Sequence, residues 1–140
     1  MKKSLTIKEA EQAIRFANSY TRLGAIIDLV NDMRFGSWLR LLGKYWSCCD
    51  NISEHLDALS FILDGCSAER ELMTVKERRL LKSLPQRVSL YRGCAEFNQW
   101  GASSSLDRAT AESFPYEHRY MVKEPLLVTA SVDKDDPGTL

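Results

Sequence analysis

The chain has 140 residues, enough for one domain with room for at most a small addition. Nineteen lysines and arginines balance nineteen aspartates and glutamates, so no overall positive field attracts nucleic acid or anionic lipid. Seven glycines and four prolines, with 44% hydrophobic residues, exclude a fibrous or disordered chain. Composition therefore selects a globular protein but no function.

Residues 1–84 have the pattern of helices. Apolar side chains recur at helical spacing, and two Thr-x-x-Glu capping boxes mark the first and the last helix of the series. In chain order, the predicted helices begin at Thr6, near Thr21, after a break at Gly36, after the cap-type residues 50–53, and at Thr74. We expect Pro85 to stop the last of them.

Residues 85–140 have the pattern of a small sheet. The predicted strands are Val88–Tyr91 running into Arg92-Gly93, a short serine-rich strand within 100–106, and the apolar segment Leu126–Val132. Asp107 is expected to cap a short helix over 108–114. The roughly 56 residues allow about three to five strands. The fold class is therefore α+β: a helical N-terminal half followed by a small, mostly antiparallel sheet, expected to form one compact unit.

The N-terminal segment and the cysteines indicate a cytoplasmic protein. Charged residues interrupt the segment after the two N-terminal lysines, so it does not have the pattern of a signal peptide. No apolar run is long enough to predict a membrane span. One conceivable metal set matches no zinc-ligand spacing: Cys48, Cys49, His55 and Cys66. We expect no metal site and reduced, mostly buried thiols.

Three features of the second half suggest a binding cleft. Arg92 at a strand end, followed by Gly93 that admits a neighbouring backbone, fits a phosphate clamp or a solvated edge residue. The hydroxyls of residues 103–105 could position a ribose or an amide, or belong to a polar loop. Phe114 could stack on a heterocycle or pack in the core.

The order of these motifs resembles a known family. Tyr91-Arg92-Gly93, then Gly-x-Ser-x-Ser-Leu-Asp over 101–107, a short helix ending in Phe114 and an apolar strand are similar to mono-ADP-ribosyltransferases of the arginine–serine–glutamate type. The likeness is closest to small members carried by phages and other mobile elements. It implies a truncated ADP-ribosyltransferase fold over 85–140, with NAD as the cofactor or substrate.

The resemblance implies a role for each matching residue. Arg92, with Gly93 beside it, would hold the NAD phosphates, and Ser103 would support the nicotinamide cleft. Ser105 matches the third position of the hydroxyl strand, and Phe114 falls near the aromatic position beside the nicotinamide. The family's glutamate lies on a later strand, in Glu-x-Glu or Gln-x-Glu, and here no glutamate follows Glu124. We therefore expect NAD-site elements without that glutamate, weak or absent activity, and no assigned catalytic residue.

The resemblance also implies a role, the modulation of a host macromolecule in the manner of phage or mobile-element proteins. A sheet without its final strands has an open edge, through which the chain could self-associate. The alternative is a non-enzymatic protein–protein inhibitor of a host defence complex, of the anti-CRISPR type. The anchors of such an inhibitor would be Trp38, Tyr45 and Trp46. The same aromatic residues at helical spacing also fit a role in the core. Direct nucleic-acid binding is not expected, because glutamates interleave with the basic cluster over 70–87.

Overall fold

The computed structural model describes residues 2–64, 69–98, 104–117 and 121–135. The chain divides into two compact units, Met1–Leu80 and Leu81–Leu140. In the described part, the α-helices are α1 (Ile7–Ala13), α2 (Arg22–Asp28), α3 (Phe35–Tyr45), α4 (Leu56–Leu63), α5 (Glu69–Leu72), α6 (Val75–Ser83) and α7 (Arg108–Ser113). The strands are β1 (Arg87–Cys94) and β2 (Leu126–Asp133), and four short 3-10 turns complete the elements at Trp46–Cys48, Ile52–His55, Glu96–Asn98 and Phe114–Tyr116.

The first unit is helical and packs around α3. Trp38 is fully buried, and its Nε1 donates to the Ile26 carbonyl oxygen at 2.7 Å, which ties α3 to α2. At Gly43 the chain approaches α5 so closely that an added Cβ would lie 2.1 Å from the Leu72 carbonyl oxygen. The buried core of this unit consists of Ala10, Ile14, Leu23, Ile26, Met33, Trp38, Leu39, Leu41, Leu42, Cys49 and Leu59.

Both predicted capping boxes are confirmed. The Glu9 amide donates to Thr6 Oγ1 at 3.2 Å, and the Thr6 amide donates to Glu9 Oε2 at 2.8 Å. At the start of α6, the Glu77 amide donates to Thr74 Oγ1 at 3.2 Å, and the Thr74 amide donates to Glu77 Oε2 at 2.6 Å. These helix starts were predictable because all their hydrogen bonds lie within four consecutive residues.

Other helix boundaries differ from the sequence prediction. The expected break at Gly36 is wrong, because α3 begins at Phe35 and contains that glycine in its first turn. The apolar spacing that runs from Leu23 to Val30 and Met33 predicts a single helix face, but α2 ends at Asp28, so Val30 and Met33 lie beyond the helix. The short α5 was not predicted. The sequence also predicts that the fourth helix ends at Gly65, and that residue lies outside the described residues.

The second unit contains the predicted antiparallel sheet. The register joins Arg87 to Asp133 at one end and Cys94 to Leu126 at the other, with one partner per residue throughout. The fold therefore combines helices with a small antiparallel sheet, as the sequence indicated. The expected three to five strands are not reached in the described residues of this unit, which contain two strands and an isolated bridge between Tyr91 and Ser105.

Candidate functional site

The bridge beside β1 brings two of the sequence motifs together. The Tyr91 amide donates to the Ser105 carbonyl oxygen at 2.9 Å, and the Ser105 amide donates to the Tyr91 carbonyl oxygen at 2.7 Å. The Tyr-Arg-Gly segment and the end of the serine segment therefore lie side by side in an antiparallel arrangement. Ser103 lies outside the described residues, so the position of its hydroxyl stays a prediction.

The sheet geometry separates the side chains of Arg92 and Ser105. Residues directly opposite each other in an antiparallel pair share a face, whereas successive residues alternate. Ser105 opposes Tyr91, so these two side chains share one face and the half-buried Arg92 projects from the other. A ligand seated on one face of β1 therefore meets either the guanidinium or the Ser105 side, but not both.

Gly93 is the point of closest packing in this unit. A Cβ built there would lie 1.9 Å from the Ala111 carbonyl oxygen and 2.6 Å from Pro115 Cδ. The absence of a side chain therefore lets α7 and the turn after it lie against β1 on the Tyr91 side. The sequence predicted a close backbone approach at this glycine, and the approaching backbone is that of the protein's own helix.

Ser105 and Asp107 build the turn that leads into α7. Ser105 Oγ accepts from the Asp107 amide at 3.0 Å, and Asp107 Oδ2 accepts from the Thr110 amide at 3.2 Å. The Thr110 hydroxyl and amide hold the pKa of the Asp107 carboxyl below its usual range. The cap at Asp107 is the one the sequence predicted, and the Ser105 hydroxyl serves the turn in this structure.

Phe114 begins the 3-10 turn Phe114–Tyr116 and is 39% exposed. Its ring is therefore neither fully in the core nor fully in water. The nearby glutamates are exposed, and the Glu112 carboxylate accepts from Arg108 Nε at 2.7 Å, four residues earlier on α7. Glu112, Glu117 and Glu124 are therefore surface charges.

A second feature of this unit is an exposed apolar surface, which the sequence analysis did not single out. Phe97 is 84% exposed and Met121 is 66% exposed. Together with Leu126 they border a surface pocket of about 860 Å³. The sequence does contain a local signal for the exposure of Phe97. This residue stands between Glu96 and Asn98 in a segment with no apolar periodicity, so the pattern does not indicate a core role.

The aromatic cluster of the helical unit is structural. Trp38 is fully buried, and Tyr45 and Trp46 pack against the same core. The Tyr45 hydroxyl donates to Glu11 at 2.9 Å, and Lys44 also binds that carboxylate. Hydrogen bonds from Lys44 and Tyr45 lower the pKa of Glu11, whereas burial raises the pKa of Tyr45. The interpretation of these three aromatic residues as partner anchors is therefore wrong for Trp38, and the other two belong to the core packing.

The described cysteines are free thiols. Cys48 is exposed, whereas Cys49 and Cys94 are buried, and burial raises the pKa of Cys49. Cys66 lies outside the described residues. Within the described ranges, no group of three or more histidine, cysteine, aspartate or glutamate side chains is arranged to hold a metal ion.

Comparisons with known proteins add no assignment: no family model, curated protein or solved structure matches this chain. Among the described residues, none of the helices has the length and apolar character needed to cross a membrane.

Proposed function

We propose that the chain is an ADP-ribosyltransferase-like protein, of the type carried by phages and mobile elements, whose sheet unit binds NAD and which modulates a host macromolecule. The observation that carries this proposal is the bridge between Tyr91 and Ser105, because it joins the two segments that bear the family resemblance. The short helix α7 follows directly, in the order the resemblance implies. No residue is assigned to catalysis, and the proposal concerns NAD binding.

Arg92 is the residue best suited to the phosphates of NAD. A guanidinium presents a planar fork of donors that matches two phosphate oxygens at once. Its half-buried position on β1 limits competition from water and strengthens such a contact. In this arrangement Ser105 acts by holding the turn into α7 and not by touching the pyrophosphate, since the two side chains lie on opposite faces.

A titration of the full chain with NAD, monitored by NMR spectroscopy, tests this proposal. We expect chemical-shift changes centred on β1, with Arg92→Ala weakening the affinity about tenfold or more, as for a lost charge-assisted contact. Arg87→Ala is the matched control, because Arg87 is an exposed arginine on the same strand, and it should leave the affinity unchanged. An unchanged spectrum at about 1 mM NAD would contradict the proposal.

The exposed apolar surface around Phe97 favours a second candidate function. Apolar side chains grouped at a surface pocket are typical of protein-binding sites. A host protein would bind to the surface formed by Phe97, Met121 and Leu126. The chain would then act as a non-enzymatic inhibitor of a host defence complex, of the anti-CRISPR type.

Affinity capture from host lysate separates the two candidates. Stoichiometric capture that Phe97→Ala abolishes, with no NAD-dependent mass change on the captured protein, supports the second candidate. Phe61→Ala is the matched control, because Phe61 is 87% exposed in the helical unit and lies outside this surface. A captured protein that gains one ADP-ribose unit when NAD is added supports the first candidate and shows transfer as well.

A further inference from the structure

The helical unit contains a surface pocket of about 630 Å³ that the proposed function does not use. It lies beside the close contact at Gly43, where α3 packs against α5, and the start of α6 completes its wall. This volume falls within the range of about 300–1,000 Å³ that is typical of small-molecule sites. Charged and apolar side chains both line this α3–α5 pocket, among them Arg40, Lys44, Glu71, Val75, Glu77 and Arg78.

Several of the charged residues in this lining are already held by other parts of the unit. Lys44 binds the Glu11 carboxylate, and Glu77 belongs to the capping box that starts α6. Arg78 Nη1 donates to the Met73 carbonyl oxygen at 2.9 Å. These three side chains therefore serve the structure of the helical unit, and a ligand would have to compete for them.

Arg40 and Glu71 differ, because neither has an ion-pair partner among the described residues. Arg40 lies on α3 and Glu71 on α5, two helices that pack together, yet the two side chains do not pair with each other. Glu71 is half-buried, and a charge gains more from a counter-charge where water is partly excluded. The described part of the pocket thus presents a guanidinium and a carboxylate that a ligand can pair.

Apolar side chains complete the lining. Leu72 and Met73 are half-buried, and Val75 is 54% exposed at the start of α6. A ligand that covers Val75 removes apolar surface from water, which is favourable in proportion to the area covered. A ligand that matches this pocket therefore has an apolar body together with its charges.

We propose that the α3–α5 pocket binds a small zwitterion with an apolar body, of the kind found in a free amino acid or a short peptide. The carboxylate of the ligand pairs with Arg40, whose guanidinium presents parallel donors to both oxygens. The ammonium of the ligand donates to the Glu71 carboxylate, and its apolar body covers Val75. A simple anion fits less well, because it leaves Glu71 unpaired and adds negative charge to a pocket that already has two carboxylates.

A titration of the full chain with leucine and with leucyl-leucine, monitored by NMR spectroscopy, tests the proposal. We expect chemical-shift changes centred on residues 71–78 by about 10 mM ligand, and the tighter of the two ligands identifies the source of the zwitterion. The N-acetylated form of that ligand lacks the ammonium, and its C-terminal amide lacks the carboxylate. Each should bind about tenfold or more weakly, as for a lost charge-assisted contact.

Two substitutions assign each charge of the ligand to its partner. Arg40→Ala should bind the free ligand about tenfold more weakly and should no longer distinguish it from the C-terminal amide. Glu71→Gln should likewise no longer distinguish the free ligand from its N-acetylated form. Arg34→Ala and Glu54→Gln are the matched controls, because both residues are exposed in the same unit and lie outside the lining, and both should leave the affinity unchanged.

The end-blocked ligands keep the test independent of misfolding, because they are compared on the unmodified chain. The proposal is overturned if neither ligand changes the spectrum at about 10 mM, or if the changes centre outside the pocket. It is also overturned by end-blocked forms that bind as tightly as the free ligand, or by equal weakening in the control variants. NAD binding concerns the sheet unit and is measured separately, so failure here leaves the proposed function unaffected.

Discussion

At the scale of single residues, the missing side chain of Gly93 controls how α7 meets β1. A Cβ there would lie 1.9 Å from the Ala111 carbonyl oxygen, so Gly93→Ala must move the helix backbone. We expect Gly93→Ala to lower the free energy of unfolding by about 1–3 kcal/mol, the usual cost of overpacking. Urea denaturation measures this change in the free energy of unfolding. The control is Ser89→Ala, because Ser89 is an exposed residue on the same strand. Equal stability of both variants would show that α7 does not approach β1 this closely.

The residue scale also shows what the sequence could predict of the candidate site. Alternation and β-prone residues were enough to place Arg92 and Gly93 on a strand, because that signal is local. The face on which Ser105 lies was not predictable. It depends on which residue of β1 opposes it, and a shift of one residue would reverse the face.

At the scale of elements, the two glycines of α3 allow the effect of close packing on stability to be distinguished from the effect of helix propensity. A Cβ at Gly43 would lie 2.1 Å from the Leu72 carbonyl oxygen, whereas a Cβ at Gly36 meets nothing closer than 3.8 Å. We expect Gly43→Ala to destabilise the protein by about 1–3 kcal/mol. Gly36→Ala should instead be neutral or stabilise it by up to about 1 kcal/mol, because alanine favours the helix. Thermal and urea unfolding compare the two variants, and similar values for both would exclude tight packing of α3 on α5.

The two capping boxes predict an acid-dependent loss of stability. Hydrogen bonds from the Thr6 and Thr74 backbones hold the pKa values of Glu9 and Glu77 below their usual range. A carboxylate with a lowered folded-state pKa stabilises the protein above its unfolded-state pKa of about 4.3, and this contribution is lost as the pH falls through the folded-state pKa.

Replacing both glutamates with glutamine tests that pH dependence. The amide oxygen of glutamine can still accept the capping hydrogen bond, but the side chain does not titrate. We expect the urea midpoint of the Glu9→Gln, Glu77→Gln variant to fall less between pH 5 and pH 3 than that of the unmodified chain. Parallel pH profiles would mean that these carboxylates do not stabilise their helices.

The elements themselves were predictable to different degrees. Capped helix starts and the apolar strand β2 carry local signals, and both were identified. The short α5 was not, since four residues carry little propensity of their own and its contact is the backbone packing at Gly43. Gly36 gave a false break because glycine costs little in the first turn of a helix that tertiary packing stabilises.

At the scale of the whole molecule, the balance of charge predicts how the protein behaves toward nucleic acid. The net charge is zero, and non-specific binding to DNA requires several free cations near the phosphates. The basic residues of α6 share that helix with Glu77, and Arg78 Nη1 donates to the Met73 carbonyl oxygen at 2.9 Å. We expect fluorescence anisotropy with a labelled duplex to show no binding at about 10 μM protein and about 0.15 M salt. Binding that weakens steeply with salt and is lost in Arg79→Glu would instead identify α6 as a nucleic-acid surface.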